Sequence, residues 1–158
     1  MKLFDIAKIK KSKWLELGGK LVTRIVEDAD NGISQDGSGN SRDFASYSPE
    51  YAFKKAKGKA TRKGVSSSRQ TSPPNLRLTG TMLNSIKAQR ATTNSVELNF
   101  RDGLKVIGHS RKRGNKPKRN IYGLNAKNEN FANNFIEDEI NSNIFKFNRK
   151  SIKIDLKI

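Results

Sequence analysis

Apolar residues in the first part of the chain recur at spacings of three and four. Trp14, Leu17, Leu21, Val22, Ile25, Val26 and Ala29 fall on one face of a helix, with charged and polar residues between them. Gly18 and Gly19 interrupt that stretch, each costing about 1 kcal/mol relative to Ala in a helix, so the spacing points to a break or a close backbone contact. Asn31-Gly32 is a suitable stop, and Leu3 to Ile9 fit a separate first turn.

No sustained periodicity follows until residue 75. Residues 32–75 hold Asp36-Gly37 and Ser38-Gly39, the aromatics Phe44, Tyr47, Tyr51 and Phe53, and a run of bases, closed by Pro73-Pro74. A structureless loop of that length is unusual in a compact domain, so the segment reads as a small hairpin around Asp36 to Asn40 or as an interaction arm. Leu76 to Ile86 predicts a short helix entered after Thr79 or Gly80. Three strands come next. Ile86 to Ala91 leads into Ser95 to Arg101, where Val96, Leu98 and Phe100 alternate with Glu97 and Asn99, and Asp102-Gly103 predicts a tight turn into Leu104 to His109. Asn125 or Asn128 then caps a helix with Phe131, Phe135, Ile136, Ile140 and Ile144 on its inner face. The last eight residues alternate, with Ile152, Ile154, Leu156 and Ile158 on one side, and predict a half-buried strand.

These elements predict an α+β fold in one domain over residues 1–158. A small antiparallel sheet, meander plus C-terminal strand, packs against a long N-terminal helix and a C-terminal helix, with long polar loops and an extended arm at about 32–75. Leu, Ile, Val and Phe supply 37 of 158 residues, just above the level of about 20% below which a highly charged chain stays unfolded. The core is therefore thin, and assembly with a partner adds apolar burial that the monomer lacks.

Charge changes the picture most. Against 15 acids stand 32 bases, a formal +17 and a pI near 10.3, a field that attracts an anionic partner. The bases concentrate in two stretches containing Gly, Ser and Pro. Lys54, Lys55, Lys57, Lys59, Arg62, Lys63 and Arg69 lie without an acid between Phe53 and Gln70; Lys105, Arg111, Lys112, Arg113, Lys116, Lys118 and Arg119 form the second group. Both read as mobile basic loops facing DNA or an acidic neighbour, with Tyr122 and Phe131 either stacking on bases or belonging to the core.

Sequence support for catalysis is slight. Cysteine is absent, so neither disulfides nor thiolate chemistry are available. His109 is the sole histidine and has no second ligand or base near it in sequence. Glu137, Asp138 and Glu139 are consecutive on a predicted helix and so diverge, and Gly37 and Gly39 lack the strand and helix of a phosphate loop. The expectation is a non-enzyme with no cofactor and no metal. Charges at Asp5, Lys8, Lys10 and Lys11 and the lack of a long apolar run predict neither a signal peptide nor a membrane span, and hence synthesis in a cytoplasm.

The middle of the chain carries a resemblance. Leu78-Thr79-Gly80-Thr81-Met82-Leu83-Asn84-Ser85-Ile86 resembles an element of the phage virion morphogenesis proteins, the tail-completion and neck family found between portal and tail. Asp36-Gly37, Phe44, Tyr47-Ser48, Tyr51-Ala52 and Lys54-Lys55 upstream, and Asp102-Gly103, Val106-Ile107-Gly108 and Arg119 to Leu124 downstream, follow in that family's order. The likeness spans about residues 30 to 145. It departs where the basic run Arg111 to Arg119 replaces an aromatic or histidine followed by glycine. The resemblance implies a structural virion protein of a tailed bacteriophage, in the neck, head-tail connector, tail-completion or tail-terminator position, assembled in the bacterial cytoplasm. It also implies a homo-oligomeric ring, often sixfold, with portal or adaptor and tail proteins as partners and packaged double-stranded DNA as a possible contact. Leu78, Thr79, Gly80, Leu83, Ser85 and Ile86 are expected to be scaffold, Thr79 as a helix cap, and the terminal strand an assembly element. The alternative is a sequence-nonspecific nucleic-acid-binding protein.

Overall fold

The computed structural model describes residues 8–61, 65–77, 79–101, 103–110 and 118–151, with side chains through Lys146. The chain folds as α+β, four helices and a two-stranded antiparallel sheet among these residues. Helix α1 (Lys11–Asp30) runs through both glycines and ends at Asn31. Gly32 takes φ +75° and Ile33 N–H reaches back to Asp28 O at 2.8 Å. That six-to-one bond closes the helix as a Schellman turn and occupies a carbonyl otherwise left without a partner.

Strands β1 (Ile86–Ala91) and β2 (Val96–Phe100) pair with Ile86 opposite Phe100 and Ala88 opposite Leu98, and a register shift at Gln89 marks a bulge. Alternation sends Ile86, Leu98 and Phe100 to the core. One buried cluster joins Ile25 and Ala29 of α1 to Phe44, Met82, Leu83, Ile86, Val106 and Ile121. A second joins Leu17 and Leu21 to Ala132, flanked by Trp14, Phe131, Phe135 and Ile136. Leu98 and Leu124 touch both clusters, so α1 is packed by the sheet and by helix α4 (Ala126–Ser151). Asn125 caps α4 through Asn128 N–H at 2.9 Å.

The two helix glycines differ sharply. A Cβ on Gly18 would lie 2.7 Å from both Ala88 Cβ and Val96 Cγ2, whereas one on Gly19 meets nothing within 4 Å. Gly18 is thus the point where the sheet rests directly on α1. Gly18→Ala should cost about 1–3 kcal/mol by overpacking. Gly19→Ala should stabilise by up to about 1 kcal/mol through helix propensity. Urea midpoints of the two variants check the contrast, and equal shifts would remove the close approach.

Several expected elements take another form. Leu104 to His109 is not a third strand: Gly103–Ser110 is a helix, α3, that buries Val106 and leaves Leu104 88% exposed. An Asp-Gly pair suits a helix start as well as a hairpin, and a helix satisfies its backbone locally while placing Val106 in the core. The helix expected over Leu76 to Ile86 contracts to a 3-10 turn at Leu83–Ser85, because too few residues separate Gly80 from β1 for α-helical turns. In residues 32–75 the Asp36 to Asn40 stretch forms turns in place of a hairpin, docked through Gln35 N–H to Asn120 O and Ala126 N–H to Gly37 O, and a helix, α2 (Pro49–Ala56), follows. Ser151 is the last residue of α4, not the first of a strand; Ile152, Ile154, Leu156 and Ile158 lie outside the described residues.

Candidate functional site

The first basic run is not a loop over its first part, because Lys54 and Lys55 lie on α2. Ser48 caps that helix, Pro49 and Glu50 occupy its first turn, and Lys54 pairs with Glu50. Helical spacing turns Lys55 inward. Its side chain is 1% exposed, and its Nζ donates to Asn75 Oδ1 at 2.6 Å and to Tyr47 Oη at 3.0 Å, 4.6 Å from the Tyr47 ring centre. Lys57 lies over Phe53, and Lys59 is exposed. Arg62 and Lys63 are outside the described residues.

From the second run, Arg111, Lys112, Arg113 and Lys116 also lie outside the described residues. Lys118 pairs with Asp36. Arg119, half-buried, donates to Ala45 O at 2.9 Å and Ser46 O at 3.3 Å, with its guanidinium 4.9 Å from the Tyr47 ring centre. Tyr47 is therefore flanked by two cations from different runs, and its hydroxyl donates to Asn75 O. Burial, with Arg119 adding repulsion, lowers the Lys55 ammonium to about 8, and burial raises the Tyr47 phenol. The Lys118 bond, then that of Ser34, holds Asp36 below its ordinary value. Lys55 is thus a correction to the expected DNA- or neighbour-facing set, since it is buried, whereas Arg119 is half-buried and bound to backbone carbonyls.

A second polar cluster had no counterpart in the sequence reading. One oxygen of buried Asp28, Oδ2, accepts from Gln35 Nε2 at 2.9 Å, Asn125 Nδ2 at 2.9 Å and Asn128 Nδ2 at 2.8 Å. Arg24 Nε donates to Asn128 Oδ1 at 2.7 Å, and the guanidinium lies 4.4 Å from the Phe131 ring centre. The network ties the end of α1 to the start of α4 and the intervening loop. The Asn-rich start of α4 is the signal the sequence offers, and by itself it indicates only capping.

Of the scaffold motif, Leu83 and Ile86 are buried, Gly80 takes φ +81°, and Ser85 Oγ donates to Met82 O at 2.7 Å. Thr79 does not cap: its hydroxyl meets that of Thr81 at 3.1 Å, and the 3-10 turn starts from Met82 with no side-chain cap. Leu78 is outside the described residues. In the acidic triplet, Glu139 pairs with Lys13 of α1 at 3.0 Å while Glu137 and Asp138 face solvent. His109 occupies the last turn of α3, and no metal-holding group of carboxylates and histidines occurs among the described residues. Nor is any described helix long and apolar enough to cross a membrane.

On the sheet face turned away from α1, an open groove of about 810 Å³ is lined by Lys87, Gln89, Asn99, Arg101 and Lys105, with the Thr81 to Ser85 turn at its side. Asn99 Nδ2 donates to Gln89 Oε1 at 3.0 Å across the strands, leaving the Gln89 amide N–H groups for a ligand. Large apolar side chains elsewhere point outward from ordered elements: Leu104 and Ile107 on α3, Tyr122 beside Phe100, and Phe145 on α4. Tyr122 is 65% exposed and so does not belong to the core, whereas Phe131 packs under Arg24. The chain matches no family model, no curated protein and no solved structure.

Proposed function

We propose that this chain is a structural virion protein of a tailed bacteriophage, a neck or tail-completion component that joins copies of itself to portal-side and tail-side neighbours in a ring. The observation that carries the reading is the set of exposed apolar side chains, Leu104 at 88% exposure foremost, with Ile107 on α3, Tyr122 in the bend before α4, and Phe145 on α4. Exposed apolar patches mark interaction surfaces, and aromatic anchors dominate interface energies. The order of the motifs from Asp36 to Leu124, around the Leu78 to Ile86 element, supports the virion assignment by resemblance. Its glycine turn at Gly80 and buried Leu83 and Ile86 suit a scaffold role.

Light scattering after size exclusion in high salt tests the reading, because screening removes phosphate-driven association and leaves apolar packing in place. A ring-sized species is expected, and Leu104→Asp with Tyr122→Asp should convert it to monomer with an unchanged circular dichroism spectrum. A monomer at all concentrations that neither binds nor enters phage particles would refute it.

A further inference from the structure

We propose that the groove on the outer face of the β1–β2 ribbon, with Lys105 at its side, binds the phosphate backbone of nucleic acid through Lys87 and Arg101, which belong to neither basic run. The inference goes beyond the ring reading and does not require a ring. Four cations of the runs already have protein partners. Lys54 bonds to Glu50, Lys55 to Asn75 and Tyr47, Lys118 to Asp36, and Arg119 to the carbonyls of residues 45 and 46. Lys87 and Arg101, by contrast, are exposed and engage no hydrogen bond or ion pair among the described residues.

The groove's shape and donors fit a polyanion. Lys87 stands directly opposite Asn99, and residues two apart on a strand project about 6.6 Å apart on one face. Lys87, Gln89, Asn99 and Arg101 thereby offer a line of donors along the ribbon. Phosphate contacts come from this mixture of Lys and Arg with Asn, Gln and Thr side chains. A two-stranded ribbon with one face packed and the other bare is also narrow enough to enter a major groove about 12 Å wide. Glu97, opposite Arg90, is the acid on this ribbon, and it lies outside the groove, next to the Thr92 to Ser95 turn. The overall +17 supplies long-range attraction, while the groove supplies a place to seat it.

Fluorescence anisotropy with a labelled DNA duplex and a labelled single strand of the same length tests the proposal, with polyglutamate as a second polyanion. At about 0.1 M salt, Lys87→Gln with Arg101→Gln should weaken nucleic-acid binding about tenfold or more. It should also reduce the log-log salt slope by about 1.8, the release expected for two phosphate contacts. Both side chains are exposed, so the circular dichroism spectrum should not change. Lys57→Gln with Lys59→Gln removes the same charge from the first run and should change affinity less than threefold. Tighter duplex than single-strand binding assigns the ribbon to a helical groove, and the reverse assigns it to an unpaired backbone. The proposal is overturned if the wild-type chain binds neither, if the two double variants lose affinity equally, or if polyglutamate binds as tightly and is lost with the ribbon variant, which would make the surface a docking face for acidic protein.

Discussion

Replacing Asp28 with alanine is expected to destabilise the fold by about 3–5 kcal/mol, the largest effect of any single substitution considered. Asp28 Oδ2 alone accepts three side-chain amide donors, from Gln35, Asn125 and Asn128, and all four residues are buried. An alanine takes one bond from each amide where water does not reach: Gln35 Nε2 loses its acceptor, while Asn125 Nδ2 keeps Ser34 O at 3.3 Å and Asn128 Nδ2 keeps Gln35 Oε1 at 3.1 Å; a buried donor left wholly unsatisfied costs about 1–3 kcal/mol. The total falls below three times that range because two of the three amides keep a second acceptor. Asp28→Asn keeps an acceptor oxygen and loses only charge assistance, so it should cost about 1–2 kcal/mol. Urea unfolding at neutral pH reads both, with the slope unchanged if the native compactness is intact. The network also predicts coupling. Asn125→Ala removes the α4 cap and one donor together, so it should be less costly in the Asp28→Ala background than alone, by 0.5 kcal/mol or more as expected for residues in one network. An alanine variant within about 1 kcal/mol of wild type would show that solvent already satisfies these amides.

The parts of the fold legible in the sequence are those fixed by local periodicity. The α1 stripe, the alternation of Val96, Leu98 and Phe100, and the Phe131 to Ile144 stripe each identify an element without reference to the rest of the chain, although Ile144, expected on the inner face, is exposed. Gly18 was readable as a close contact, and the structure supplies its partner, the β1–β2 ribbon. Misreadings came where a short segment satisfies two patterns. Leu104, Val106 and Ile107 after Asp102-Gly103 fit a strand and a helix equally, and the choice depends on how far the core reaches, which is a tertiary fact. Helix α2 has a strong start signal in Ser48-Pro49-Glu50, although the lack of longer periodicity over residues 32–75 points to a hairpin or an arm. Charge was the least transferable signal. A run of bases says nothing of which member turns inward: Lys55 does so to reach the Asn75 amide oxygen beside the Tyr47 ring, and Arg119 lies half-buried against the same ring and the Ala45 carbonyl. The ribbon groove left no run at all, since Lys87, Gln89, Asn99 and Arg101 come together only when the strands pair.

Burial of Lys55 predicts that stability rises with pH across a defined window. The folded ammonium has a pKa of about 8 against 10.5 for an unperturbed lysine, chiefly through burial and secondly through Arg119. Below about 8 the group is charged in both states, and the fold bears the full penalty. Between about 8 and 10.5 the unfolded chain holds the proton that the folded chain has released, so the unfolded state binds more protons and stability climbs with pH. At about 1.4 kcal/mol per unit the gain reaches roughly 2 kcal/mol or somewhat more. Tyr47 limits it from above. Its folded pKa is raised from 10.0, so above about 10 the unfolded phenol ionises first and stability turns downward. A chain of formal charge +17 carries a pH dependence of its own, so the test is a comparison. Lys55→Met keeps most of the volume, and removing an uncompensated buried charge offsets the loss of the bonds to Asn75 and Tyr47; at pH 7 it should lie within about 1 kcal/mol of wild type. Its urea midpoint should gain about 2 kcal/mol less than wild type between pH 8 and 10. An identical gain in the two proteins would mean that Lys55 keeps its proton throughout, stabilised by the Asn75 amide oxygen and the Tyr47 ring strongly enough to outweigh its burial.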